Sequence, residues 1–368
     1  MNCYVLGLAI HPPHLNCQGF RLEEMVYHTA RAALDNAAIT RRQLDHVTLG
    51  ACDELDGRSI SSMLMAMPAG GYLVDEIKVT DSGASALCLE MARIRSEEFD
   101  IGMVSSWCKS SKTDVEAVMR LRGEPFYTRP FSINMAVSDA LFAQSVADEF
   151  GVGSDEICQR VVENYQRGAL NPRGIQHPVP ALDAVAASAY DATPLRRLHR
   201  APLTDGAVSM VVVSERWLRK HPGHKPLALL AGVGWATDSY RLDGERLRSM
   251  RSARAAFSNA CKMAGLASVA AIDAIELESQ TGYHEAAYVR ALGLSAHTRI
   301  SPSGGAYAQN PLFCTGLVCA AEAVLQVSGQ AGAVQCGSVR RAIAHSAHGY
   351  AQQGNVFMVF EAVGDKFA

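Results

Sequence analysis

Residues 344–355, AHSAHGYAQQGN, bring two imidazoles and a phenol close together: His345, His348 and Tyr350. Histidine changes charge near neutral pH, so a loop carrying these groups between two strands suits acid–base work. A second concentration is ELESQTGYH, where Glu278 ends an apolar run and Tyr283 and His284 open a helix. A carboxylate at a buried strand end is costly unless it is paired or neutral. Glu278 is therefore either a base with a raised pKa or half of an ion pair with an arginine. Ser303, Gly304 and Gly305 form a small turn that lets backbone approach a ligand closely. Cys314, in PLFCTG, falls at a helix start, where N-terminal amides favour a thiolate. The stretch EIKVTDSGASALCLEMARI sets a strand, a small-residue turn and a helix in sequence, a layout that presents a nucleophile at a helix N-terminus. The loop ACDELDGRS gathers Asp53, Glu54, Asp56 and Arg58, to line a pocket, meet a second subunit or face solvent.

The elements that must position these groups alternate between strand and helix. CYVLGLAI, HVTLGAC, EIKVTDS and DIGMVSSWC read as strands, and residues 22–38 form a helix with Leu22, Met25, Val26, Ala30, Ala33 and Leu34 on one face. Apolar strands alternating with helices predict a largely parallel α/β sheet covered on both faces. Residues 112–205 depart from this pattern. They hold helices over 136–150 and 154–169 among irregular, Pro-, Arg- and Tyr-rich stretches, and read as a loop domain inserted over the sheet. KHPGHKP, 220–226, is the best linker, and the strand–helix order then restarts. PLALLAGVGWAT and AIDAIELES are predicted strands, with helices over 250–264, 284–292 and 311–328, and closing strands near 333–345 and 354–362. The expected organisation is two pseudo-repeated halves, 1–219 and 226–368, alike in element order but sharing no motif.

Composition bounds the function. The chain has 368 residues, 48% hydrophobic and 19% charged, with a formal net charge of -3. No basic footprint points to nucleic acid or to a membrane surface. Ten scattered cysteines without a CxxC pair read as reduced thiols, with no metal cluster. No signal peptide and no membrane span are expected, so the expected location is the cytoplasm.

Three stretches together resemble the thiolase superfamily, and within it the sterol-carrier-protein-x-like branch. They are APLTDGAVSMVVVSE at 201–215, ISPSGGAYAQNPLFCTGLVCAAEAV at 300–324, and the turn TDSGASAL at 80–87. The resemblance covers nearly the whole chain in order. It implies a five-layered αβαβα thiolase fold of two βαβαβαββ halves, usually dimeric, with acyl-CoA thioesters as ligands and no covalently bound cofactor. The departures bear on mechanism. Where the family reads C-A-S-G, this chain has Thr80 at the cysteine, with Ser82 and Gly83 matching. Threonine is a poor acyl acceptor without an adjacent base. The histidine of the family's GHP motif becomes Asn310, which can donate to an oxyanion but cannot shuttle a proton. The family's E-L-H-D-A-F segment becomes Glu276-Leu277-Glu278-Ser279-Gln280-Thr281, putting Glu278 at a catalytic position. The loop with His345, His348 and Tyr350 lies where the family has its last active-site loop.

These residues support an enzyme that processes an acyl-CoA or acyl-carrier thioester without a cysteine acyl-enzyme, by aldolase-like carbon–carbon chemistry or direct acyl transfer. Glu278, His345, His348, Tyr283 and Tyr350 would supply base and acid, and Asn310 would hold the enolate oxygen. Ser82, Gly83, His284, Ser303, Gly304, Gly305 and Cys314 are candidate substrate-binding residues. Relatives of this kind work beside a small OB-fold partner with a zinc ribbon. The competing reading is a non-catalytic thiolase-fold subunit beside a thiolase-like partner chain. Against it, the replacements are polar, and a purely structural site would tolerate apolar filling. The Met-rich SSMLMAMPAG stretch is either such filling or a dimer surface.

Overall fold

The computed structural model describes residues 1–80 and 82–364. Ten strands form the main sheet: β1 (Cys3–Ile10), β2 (His46–Gly50), β3 (Asp75–Val79), β4 (Ile101–Lys109), β5 (Asp205–Ser214), β6 (Ala228–Thr237), β7 (Ala274–Glu276), β8 (Arg299–Ile300), β9 (Arg341–His348) and β10 (Gly354–Glu361). Their order is β8-β7-β9-β10-β6-β1-β5-β4-β2-β3. Read outward from the centre, each half runs first strand, fifth, fourth, second, third. The orientations match as well: β2 is parallel to β3 and β4, and β7 is parallel to β8 and β9. The two halves meet through three residue pairs between β1 and β6, from Cys3–Leu230 to Val5–Ala228. The element order in the sequence is thus a true structural repeat.

Side-chain alternation along these strands builds the layers. Cys3, Val5, Val208, Met210, Leu230, Ala344 and Met358 face inward onto two central helices, α2 (Gly83–Arg95) and α7 (Thr315–Val327). The opposite face of the first half, with Tyr4, Leu6, Val47 and Met103, packs on α1 (Leu22–Asn36). The opposite face of the second half, with Ile275, Ile343, Phe357 and Val359, packs on α5 (Arg251–Met263) and α6 (Gly282–Ala291). Helix, sheet, helix, sheet and helix make the five layers of the thiolase fold. Helices α3 (Met135–Phe150) and α4 (Ser154–Leu170) lie in the segment between β4 and β5. Asn134 caps α3 by accepting from the Val137 N–H at 2.9 Å, and Thr281 caps α6 by accepting from the His284 N–H at 3.2 Å.

Two boundaries differ from expectation in ways that shape the site. The run AIDAIELES pairs only over Ala274–Glu276, so Leu277–Gln280 leave the ladder and Glu278 lies beyond its end. The strand expected near 333–345 instead runs from Arg341 through His348, because His345–His348 keep pairing with Phe357–Gly354 after β7 has stopped. In the Met-rich stretch, Met65 is buried while Met63 and Met67 face outward, so those two fill no interior space. Among the described residues, no helix is long and apolar enough to cross a membrane.

Candidate active site

The projecting end of β9 carries the site. Glu278 folds back beneath it and is 3% exposed. The Ser346 hydroxyl donates to Glu278 Oε2 at 2.7 Å, and the Ala347 N–H lies 3.4 Å from the same oxygen. Ser346 reaches this position because residue 316 is glycine: a Cβ there would lie 2.2 Å from Ser346 Oγ. His348, the last residue of β9, is half-buried, with its ring seated over Gly354, where a Cβ would come within 1.9 Å of Nε2.

Glu278 and His348 line one inner cavity of about 40 Å³, together with Asp139, Gln280, Phe313 and Tyr350. Phe313, His348 and Tyr350 also wall an adjacent mouth of about 370 Å³ that includes Arg122, Glu124 and Tyr240. A third, mostly apolar cavity, also about 370 Å³, lies between α2 and β6, lined by Cys88, Leu89, Trp235 and Val356. His348 borders all three. Among the described residues the imidazole is thus the one side chain that these three cavities share, and Glu278 lines the innermost of them.

Asn310 is placed differently from expectation. It is fully buried, and its amide forms a reciprocal pair with Gln280. Asn310 Nδ2 donates to Gln280 Oε1 at 2.8 Å, and Gln280 Nε2 donates to Asn310 Oδ1 at 2.9 Å. Thr315 Oγ1 donates to the same Oδ1 at 2.9 Å. With its carbonyl and amide thus engaged, Asn310 orients Gln280, and Gln280 is the amide that borders the cavity.

Tyr350 walls the inner cavity and the mouth with its ring, but its hydroxyl donates to the Ile133 carbonyl at 3.0 Å. Burial pushes this phenol up to about 12, so it stays protonated and engaged. His345 does not join His348. Strand alternation puts residues three apart on opposite faces, and His345 is fully buried between Tyr288 and Phe357 with Nε2 2.9 Å from Asn355 Oδ1. Burial pushes it down to about 3. His284 is likewise fully buried and pushed down to about 3 by burial, and Tyr283 packs edge-on to His199 at 5.8 Å. None of these three borders the cavities described above.

The remaining candidates hold the scaffold. Ser303 donates through Oγ to Glu276 Oε2 at 2.6 Å and through N–H to Oε1 at 3.1 Å. Gly304 has φ +91°, and a Cβ on it would fall 2.5 Å from the Gly168 nitrogen, so this turn clamps β7 to α4 rather than facing a ligand. Ser82 caps α2 by accepting from the Ser85 N–H at 3.2 Å. The Gly83 N–H donates to the Phe313 carbonyl at 2.8 Å, and both residues are buried. Cys314 is fully buried and pushed up to about 12 by burial, which reverses the expectation of a thiolate at that helix start. Thr80 is exposed, with its carbonyl 3.4 Å from Arg122 Nη2; the neighbouring Asp81 lies outside the described residues. In the acidic loop, Asp53 pairs with Lys78, Glu54 with Arg122, and Asp56 accepts from the Trp107 indole, so that loop braces the mouth.

Sequence reasoning missed Asp139. Its signal was present: with Phe142, Ala143 and Val146 it occupies the buried stripe of α3, an unusual place for a carboxylate. Arg122, at the end of a short amphipathic helix, carried no such signal.

No family model matches the chain. Two relatives named acetyl-CoA acetyltransferase are similar to it: that of Methanocaldococcus jannaschii is 24% identical over 242 residues, 64% of this chain and 62% of the relative. That of Methanothermobacter thermautotrophicus is 27% identical over 229 residues, 57% of this chain and 59% of the relative. Sterol carrier protein 2 of Gallus gallus is 26% identical over 222 residues, 54% of this chain and 40% of that protein. The matches to the two acetyltransferases thus span about three-fifths of those relatives' length. Among solved structures, the Ltp2-ChsH2(DUF35) aldolase superposes with a TM-score of 0.79 over 98% of both chains at 17% identity. These likenesses support a thiolase-like superfamily relationship, and the superposition shows the thiolase fold.

Proposed function

We propose that this chain is a thiolase-fold enzyme that processes acyl-CoA thioesters without a covalent acyl-enzyme, cleaving or forming a carbon–carbon bond in the manner of an aldolase. The observation that carries this reading is the convergence of Glu278, Gln280 and His348 on one cavity, which the candidate thiol Cys314, buried and protonated elsewhere in the core, does not line. In the cleavage direction the substrate is a 3-hydroxyacyl thioester. Glu278, as carboxylate, takes the hydroxyl proton. The Cα–Cβ bond breaks, the hydroxyl carbon becomes a ketone or aldehyde, and the electron pair passes into the thioester enolate. A proton delivered to Cα completes the shortened acyl thioester. Gln280, held by Asn310, and His348 border the space where the enolate oxygen develops. The polar mouth beside Arg122 suits the thioester arm, and the apolar cavity between α2 and β6 suits the carbonyl product.

A homodimer belongs to the same proposal. Edge strand β3 exposes Asp75, Glu76 and Ile77, beside outward-facing Tyr72 and Leu73, and a second copy of β3 would cover that edge. A small OB-fold, zinc-ribbon partner remains part of the proposed assembly.

The test is incubation with 3-hydroxyacyl-CoA thioesters, with mass spectrometry of both the small molecules and the intact protein. The expected result is a carbonyl product and a shortened acyl-CoA, no protein adduct, and loss of product formation in Glu278→Gln. An acyl adduct on Thr80 or Cys314 would refute the non-covalent reading. Failure to bind any acyl-CoA would favour the non-catalytic subunit.

A further inference from the structure

The mechanism above leaves one proton without a source: the one that returns to Cα. Among the groups lining the inner cavity, Asp139 is the second carboxyl beside Glu278. It stands on α3, which packs against α6, and is 6% exposed. We propose that Asp139 is the catalytic acid that protonates the thioester α-carbon, opposite Glu278 acting as base. This assignment rests on the aldolase-type reading of the site.

The two carboxyls sit in opposite environments. Glu278 accepts from Ser346 Oγ at 2.7 Å, with the Ala347 N–H and Gln280 Nε2 each 3.4 Å from one of its oxygens. Among the described residues no donor is within hydrogen-bond distance of the Asp139 carboxyl, and its cavity neighbours include Met119, Met135 and Phe313. Burial pushes it up to about 7. The charges nearest to it oppose each other: Arg200 favours ionisation and Glu116 disfavours it, and those two approach to 3.7 Å. From α6, His284 Nε2 stands 3.7 Å away, too far for a hydrogen bond, on an imidazole that burial keeps neutral. Tyr288 and Tyr350 also feel Asp139, and burial keeps both phenols protonated. A pair of carboxyls in one cavity, one supplied with hydrogen-bond donors and one without, is arranged to divide the roles of base and acid.

The step balances. The Asp139 O–H bond breaks as the new Cα–H bond forms, leaving Asp139 as carboxylate and Glu278 carrying the hydroxyl proton. The two groups reset by exchange with solvent through the mouth. Run backward on the product alone, the same step is removal of an α-proton by ionised Asp139, without Glu278.

The experiment uses propionyl-CoA in D2O, with deuterium incorporation at Cα followed by mass spectrometry. Wild-type exchange is expected to rise with pH through an inflection near 7, where Asp139 ionises. Cleavage of the 3-hydroxyacyl substrate falls through the same inflection. Asp139→Asn should lose exchange by about 100-fold or more, with propionyl-CoA still shifting its melting temperature. Asp139→Glu should recover part of the rate. Glu278→Gln should keep exchange and lose cleavage. Asp139→Asn exchanging at the wild-type rate, or the inflection vanishing in His348→Gln instead, would overturn the assignment while leaving the thioester reading intact. Wild-type protein that binds propionyl-CoA but exchanges nothing would overturn both.

Discussion

Replacing Asp139 by asparagine should make the protein's stability respond to pH in a calculable way. In the native state the carboxyl is pushed up to about 7 by burial, while in the unfolded chain it titrates near ~3.9. Between those values the native state holds a proton that the unfolded state has released. Because the native value is raised, the stabilisation is full below about pH 4 and is lost as pH rises through about 7. Between pH 5 and pH 8 the wild type should lose about 3 kcal/mol on this account, at about 1.4 kcal/mol per pH unit over the active part of the window. The asparagine variant has no proton to lose. Urea unfolding of both proteins at the two pH values isolates the term, because Glu276, also pushed up by burial, is common to both and cancels. The variant should be about 3 kcal/mol more stable relative to wild type at pH 8 than at pH 5. A difference that does not change with pH would show that Asp139 is ionised throughout, and would remove the basis for treating it as an acid.

Gly354→Ala places a methyl where His348 Nε2 now sits, 1.9 Å from the new Cβ. Steady-state turnover should fall at least about tenfold, with about 1–3 kcal/mol lost in stability from overpacking, read by urea melts. Ser346→Ala removes the 2.7 Å donor to Glu278 Oε2, a hydrogen bond of about 0.5–1.5 kcal/mol. kcat/KM should drop about tenfold in steady-state assays. His345 is pushed down to about 3 by burial, so its contribution is present above the unfolded value of ~6.5 and is lost as pH falls toward 3. His345→Gln should remove about 3 kcal/mol of the stability loss that wild type suffers between pH 7 and pH 4, measured by urea unfolding.

The fold was legible because its signals are local. Apolar strands, amphipathic helices and the repeated element order each declare themselves within a short window, and the sheet repeats that order. Five of its nine strand pairings, however, are antiparallel rather than the largely parallel set expected, because strand direction is fixed by partners far away in sequence. The site was legible only in part. Glu278 and His348, picked from residue type, do line one cavity, but HSAH reads as part of a polar loop, and only the ladder to β10 shows that it is strand. That difference decides which face each histidine takes, and so sends His345 into the outer core. The pairing of Asn310 with Gln280 spans thirty positions, and no window could contain it. Asp139 could have been found, since a carboxylate in an apolar helical stripe is a question in itself.

The Ser82–Gly83 turn has a packing cause independent of catalysis. A Cβ on Gly83 would fall 2.6 Å from Ser106 and 2.9 Å from Leu317, so the central helices α2 and α7 can approach only over glycine. Its N–H is taken by the Phe313 carbonyl, which fixes the loop that forms one wall of the cavity. Packing of the middle layer therefore maintains this turn whether or not a nucleophile precedes it. By the same logic the chemistry must be sought where polar groups are buried at a cost and still face a cavity. In this chain Glu278 and Asp139, both buried and lining one cavity at the end of β9, meet that criterion.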